Sequence, residues 1–184
     1  LSLLGTLLLF FGWFGFNGGS AGAFNENVPL TLINTLLGGA AGLVTTIVLC
    51  YVIHQRPLVF KIMNGLLGGL VSITASCHSV TAFEAILIGS MGGVVVLFAE
   101  RLLERFYLDD AVGAIPVHLA AGVWGTLAVG IFGDAEVLGT GLDGDQQIAI
   151  QVLGVIVCFT TVFVISFLFI FTANRLWGIR VSRA

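Results

Sequence analysis

Apolar residues run along this chain in long unbroken stretches, not in the alternation of a half-buried strand. The stretches are Leu1–Phe16, Val28–Ile53, Ile62–Ser76, Val80–Ala99, Ala111–Phe132 and Ile148–Ala173. A helix needs about 20 apolar residues to cross the hydrocarbon core of a bilayer, at about 1.5 Å per residue. Most of the runs reach or approach that length. The third is short and depends on its flanks. A membrane barrel would show alternating segments of about ten residues, and the chain has none. The pattern predicts an all-α polytopic membrane protein with six transmembrane helices in one domain.

The polar positions between the runs give an orientation. Arg56 and Lys61 separate spans two and three, Arg101 and Arg105 separate four and five, and Arg175, Arg180 and Arg183 follow six. The other three loops carry Glu26, Asp134, Glu136, Asp143 and Asp145 and no Lys or Arg. Cytoplasmic loops of membrane proteins are the ones enriched in Lys and Arg. Span one therefore runs outwards and the C-terminal tail is cytoplasmic, with the plasma membrane of a bacterium as the expected location.

Composition narrows the class further. The chain is 58% hydrophobic and only 9% charged, where a soluble domain carries about 25% charged residues. Lipid is its immediate partner. No basic tract points to nucleic acid. Cys50, Cys77 and Cys158 lie in or beside apolar runs without metal-ligand spacing, so they read as packing residues. No metal or cofactor is expected. The chain begins at Leu1, already inside an apolar run and without a charged leader, so a piece of a longer protein is expected.

Gly38 with Gly42, Gly65 with Gly69, and Gly89 with Gly93 stand four apart, the spacing that lets membrane helices approach closely. They are read as packing positions. His118 is the eighth residue of the run from Ala111 to Phe132, a depth near the membrane midplane. Ionisable groups at such depths face cavities or proton paths, and imidazole both donates and accepts. Pro116, two residues earlier, lacks an N–H and is expected to kink the span by freeing the carbonyl of Val112. Asp109 and Asp110 suit the first turn of span five as caps. Glu84 is read as a surface partner of His78, and His54 as an interfacial residue. Nucleophile elbow, phosphate-binding loop and HExxH patterns are all absent, so an enzyme is not expected.

The outer end of span one carries Gly12-Trp13-Phe14-Gly15-Phe16-Asn17-Gly18-Gly19-Ser20. Aromatic faces attract cations and the Ser20 oxygen accepts hydrogen bonds, a combination suited to a small cation that donates them. This run resembles a signature of the ammonium transporter (Amt/Rh/Mep) family. So do Asn64-Gly65-Leu66-Leu67-Gly68-Gly69-Leu70-Val71 with Ile73-Thr74-Ala75, and Asp109-Asp110-Ala111-Val112-Gly113-Ala114-Ile115-Pro116-Val117-His118 followed by Gly122-Val123-Trp124-Gly125-Thr126-Leu127. Together, in this order, they are similar to the second half of a bacterial member.

The resemblance implies an eleven-helix fold of two inverted five-helix repeats and a final helix, of which this chain corresponds to helices six to eleven. It implies a homotrimer with one pore per subunit, ammonium or ammonia as substrate, and PII-type signal proteins as cytoplasmic partners. It places Trp13 and Ser20 in an outer recruitment site, Phe16 in a pore gate of stacked phenylalanines, and His118 as the second of twin pore histidines. Asn17, Thr74 and Trp124 match motif positions and are expected to give support or line the pore. Ala111 stands where a proline commonly follows the Asp pair, and Glu84 where a small residue is commoner. The alternatives are an ammonium sensor, in which the membrane domain drives a cytoplasmic module, and an Rh-like neutral gas channel. The orientation is checked by cysteine labelling of the full-length protein. An impermeant thiol reagent should reach positions near Glu136 from outside and positions near Arg101 only from inside.

Overall fold

The computed structural model describes residues 1–179, and among these the chain is helical with no strand. The helices are α1 (Ser2–Gly19), α2 (Val28–His54), α3 (Val59–Thr74), α4 (Ala82–Arg105), α5 (Ile115–Phe132), α6 (Ala135–Leu138) and α7 (Gly144–Trp177). Five of them are long and apolar enough to cross a membrane, and α3 is the shorter apolar helix. Arg180 and Arg183, used above for orientation, and the side chain of His54 lie outside the described residues.

Local chemistry explains the helix limits. Thr81 and Glu84 form a capping box at the start of α4, and Asp143 with Gln146 form another at the start of α7. Gln55 and Gly178 take left-handed conformations that stop α2 and α7. Glu84 is thereby assigned differently from the sequence expectation. Its Oε2 accepts from the Thr81 N–H at 2.7 Å and from the Thr81 hydroxyl at 2.8 Å. A carboxylate three residues into a helix reaches back to the cap more readily than across to His78.

Span five also differs. It starts at Ile115, four residues later than its apolar run, because Gly113 adopts φ +72° and interrupts the helix there. A Cβ at Gly113 would run into the Asn64 amide, so the turn requires glycine on both counts. Residues Ile115–Ala120 form a π turn, in which the Ala121 N–H bonds the Pro116 carbonyl five residues back. Pro116 is the second residue of the helix, where its missing N–H would have had no helical partner. It therefore opens the helix instead of interrupting it in mid-span as expected.

The centre of the molecule is the mutual crossing of α2, α3 and α4. The three glycine pairs meet there. A Cβ at Gly42 would fall on the Gly65 carbonyl and lie 2.8 Å from Gly69 Cα, and one at Gly93 would lie 2.6 Å from the Gly42 carbonyl. A Cβ at Gly89 or Gly69 would strike the Gly38 carbonyl. Around this node Leu70, Ile73, Ile88 and Val96 are fully buried. α7 is the exception to close packing. It packs mainly on α5, and of its residues only Gln147 is buried. Its 34 residues make about 51 Å of helix, longer than the about 30 Å hydrocarbon core. Gly42→Ala should cost about 1–3 kcal/mol by overpacking, read as a lower melting temperature of the full-length protein in detergent.

Candidate functional site

At the C-terminal end of α1, the side chains singled out in the sequence divide into supports and free groups. The Trp13 indole N–H donates to Thr74 Oγ1 at 2.8 Å, and Thr74 in turn donates to the Leu70 carbonyl. This pins the half-buried Trp13 to α3. Asn17 is 3% exposed and donates through Nδ2 to Thr35 Oγ1 at 2.9 Å. Ser20 is exposed, and its hydroxyl donates to the Phe16 carbonyl at 2.8 Å, leaving its lone pairs able to accept. The Phe16 ring is exposed and tilted against Trp13 with centroids 6.1 Å apart. Trp13, Phe16 and Ser20 thus form one cluster.

His118 stands apart from that cluster. It is exposed on α5 and lines a 790 Å³ groove between α5 and α7 with Thr126, Cys158, Phe159, Phe163 and Ser166, among others. Phe159, Phe163, Phe167 and Phe171 run down α7 as a stacked ladder, with centroids 5.6, 6.1 and 6.1 Å apart. The groove is mostly apolar, so an ion inside it would lose hydration without replacement. His118 lies in the first turn of its helix. Its neighbour Val117 nevertheless packs with Leu67 and Val71 in the middle of α3 and with Val96 of α4. Its place in the bundle is therefore set by packing against α3 and α4. Trp124 is a support: its indole N–H donates to the Ile88 carbonyl at 3.0 Å.

The opposite end holds a cluster that the sequence reading overlooked. Lys61 Nζ lies 3.0 Å from Glu100 Oε2 and 3.2 Å from Glu104 Oε1. Glu100 is 9% exposed, and its other oxygen accepts from Asn64 Nδ2 at 2.8 Å. Asn64 abuts Gly113, so this network braces the turn that precedes α5. Glu100 directly follows the apolar run that ends at Ala99, where a carboxylate reads as an ordinary interfacial charge, and partners 36 and 39 residues away are not readable from spacing. Asp110 closes the same turn. Its carboxylate accepts from the Ala114 N–H at 2.9 Å and the Ile115 N–H at 2.7 Å. Burial acts to raise its pKa, but the N–H groups of Ile115, Ala114, Val112 and Gly113 outweigh this and hold the carboxyl below its usual range. Asn34 was also missed. It is fully buried and ties α2 to the α3–α4 turn by donating to the carbonyls of Cys77 at 2.9 Å and Val80 at 2.8 Å.

The matched sequence motifs thus lie on a bundle with the Trp13–Ser20 cluster at one end, an apolar groove along α5 and α7, and a charged cluster at the opposite end. The chain matches the Ammonium Transporter Family over residues 1–184. This chain belongs to that family. It is 40% identical to a putative ammonium transporter of Synechocystis sp., over 98% of this chain and 34% of the relative. It is 38% identical to the ammonium transporter Amt2 of Archaeoglobus fulgidus, over 98% of this chain and 41% of the relative. Among solved structures it resembles a Sensor Amt Protein with a TM-score of 0.94 and 38% identity, covering 98% of this chain and 45% of that one. Saccharomyces cerevisiae Mep2 superimposes with a TM-score of 0.87 at 26% identity, covering 94% of this chain and 44% of that one. The chain thus spans about two-fifths of the length of these relatives. An all-α, integral membrane architecture of the ammonium transporter type follows.

Asp110 gives a stability test in this family member. Asp110→Ala removes the cap of α5 and should cost about 0.5–2 kcal/mol at neutral pH. The folded carboxyl titrates below its unfolded range, so its contribution is complete above about pH 4 and fades as pH falls through the lower folded value. Melting temperatures of the full-length wild type and Asp110→Ala should therefore differ at pH 7 and converge in stronger acid.

Proposed function

We propose that the complete protein carries ammonium nitrogen across the membrane by docking the cation outside and passing ammonia through an apolar route. The observation that carries this reading is His118 on an apolar groove, in a chain of the ammonium transporter family. Ammonium docks at the outer cluster, with the aromatic faces of Trp13 and Phe16 attracting the charge and Ser20 accepting an N–H. Phe16 acts as the gate. The ion sheds its proton there, and neutral ammonia passes His118. A hydrogen-bonding site alone prefers ammonium to potassium only weakly. Deprotonation followed by a dry passage rejects potassium, which has no proton to lose and pays several kcal/mol for desolvation.

His118 serves as a neutral imidazole that donates and accepts along the route. A charged imidazole in a low-dielectric passage would be costly and would repel the arriving cation. The rest of the full-length protein completes the pore wall, the assembly is a homotrimer, and the C-terminus is cytoplasmic, where a PII-type signal protein docks. No step in this reading is catalysis of a covalent reaction. A second reading, an ammonium sensor, is favoured by the resemblance to the Sensor Amt Protein. The chain beyond Ala184 discriminates, since a linker into a signalling module would mark the sensor.

The test uses currents of the full-length protein in ammonium and in potassium. Trp13→Leu combined with Ser20→Ala should raise half-saturation more than it lowers maximal flux, by about 2-fold to 5-fold for an exposed cation–π contact of about 0.5–1 kcal/mol. His118→Asp should hydrate the route and admit potassium, whereas His118→Ala should impair transport while keeping half-saturation. Wild-type behaviour in both His118 variants would reduce His118 to a packing residue and overturn the mechanism.

A further inference from the structure

A second cavity opens at the outer end, beside the docking cluster. It measures 380 Å³ and lies where the ends of α1 and α3 meet the start of α2, with Asn17, Ser20, Asn27, Thr31, Thr74 and His78 among its lining residues. Its wall mixes apolar side chains with amides, hydroxyls and an imidazole, and is more polar than that of the His118 groove. The space greatly exceeds the about 30 Å³ of one water, so a hydrated cation fits. Its acceptors are in place. Ser20 has free lone pairs, and the buried Asn17 has its Nδ2 committed to Thr35 and its Oδ1 left for the cavity.

We infer that this cavity is the antechamber in which ammonium waits before docking at Ser20, and that His78 controls its occupancy by changing charge with external pH. The inference rests on the proposed outer docking role of Ser20 and adds a residue to it. His78 sits in the short turn between α3 and α4 and is exposed to the outside. Imidazole is the side chain that changes charge between about pH 5 and 8. A neutral ring offers the cation a further acceptor, whereas a protonated ring meets it with a like charge. A compact 380 Å³ space is about 9 Å across, comparable with the about 8 Å screening length of physiological salt, so the two charges interact.

No other lining group competes for this role. Cys77 also borders the cavity, but burial pushes its thiol up to about 11, against weaker opposing hydrogen bonds. The segment after α1 contributes Glu26, which is exposed and does not line the space. The start of α4 contributes Glu84, held by Thr81. The corner before α6 is tied to this turn by the Asp134 N–H, which donates to the Ser79 carbonyl at 2.8 Å. Asp134 caps α6, and Glu136 on α6 is exposed; neither lines the cavity. The ends of α1 and α3 and the start of α2 add no charged side chain.

The experiment measures half-saturation for ammonium chloride in the full-length protein between external pH 8 and 5, internal pH held constant. In the wild type it should rise by about 2-fold to 30-fold as pH falls, the range expected for unit charges about 8 Å apart in an effective dielectric of about 80 down to 20. In His78→Gln, and in His78→Asn as a second neutral variant, the profile should be flat. In His78→Lys half-saturation should be high throughout. An acid-dependent rise in the neutral variants equal to that of the wild type overturns the inference. Ser20→Ala separates the two layers. If it leaves half-saturation at pH 8 unchanged, the docking site itself is misassigned. If it raises half-saturation while His78→Gln keeps the wild-type profile, only the role of His78 fails.

Discussion

The close crossing of α2 with α3 and α4 is the constraint on which the rest of the molecule depends. At Gly38 and Gly42 the backbone of α2 touches the backbones of both neighbours, and no side chain fits between them. In lipid there is little hydrophobic drive between helices, so attraction comes from the many close van der Waals contacts that such an approach permits. Fixing α3 against α4 in this way fixes both ends of the bundle. It brings Asn64 under Gly113 and beside Glu100 at one end, and Thr74 under the Trp13 indole at the other.

The polar groups of the core serve the same geometry. Asn34 secures the α3–α4 turn, Thr74 and Thr35 hold α1, and Ser72 bonds within α3 and towards α5. Each is a hydroxyl or amide inside an apolar run, where an unpaired polar group is costly and a paired one specifies a single arrangement. Lys61 with Glu100 and Glu104 extends this logic to a charged triad, held at the bundle end where Glu104 still reaches solvent. Of the polar groups singled out in the sequence, Ser20 is exposed at the end of α1 and His118 on the groove.

Length and continuity of the apolar runs determined the helical membrane class, since only a helix satisfies every backbone group locally within lipid. The one-sided distribution of Lys and Arg determined an expected orientation, and the glycine spacing determined which faces pack. The Trp13–Ser20 run and the Asp110–His118 run named candidate chemistry through resemblance and through the donors and acceptors they carry. These features are local or periodic, and a sequence displays them directly.

Tertiary structure decided what depends on distant neighbours. Glu84 turned to its own cap, and span five began after the Gly113 turn, because Asn64 from α3 occupies the space beside that glycine. Trp13 and Trp124 look alike in sequence as aromatic motif residues, yet each spends its indole N–H on a different helix. His78 and Ser20, 58 positions apart, came to line one cavity only because α1 and α3 end together. His118 acquired its place in the bundle from Val117 packing on α3 and its surroundings from the Phe ladder of α7. The sequence by itself determined which side chains are available for chemistry, because side-chain type is a property of one position. Their grouping into mouth, groove and braced turn was decided by packing, because it is a property of pairs far apart in the chain.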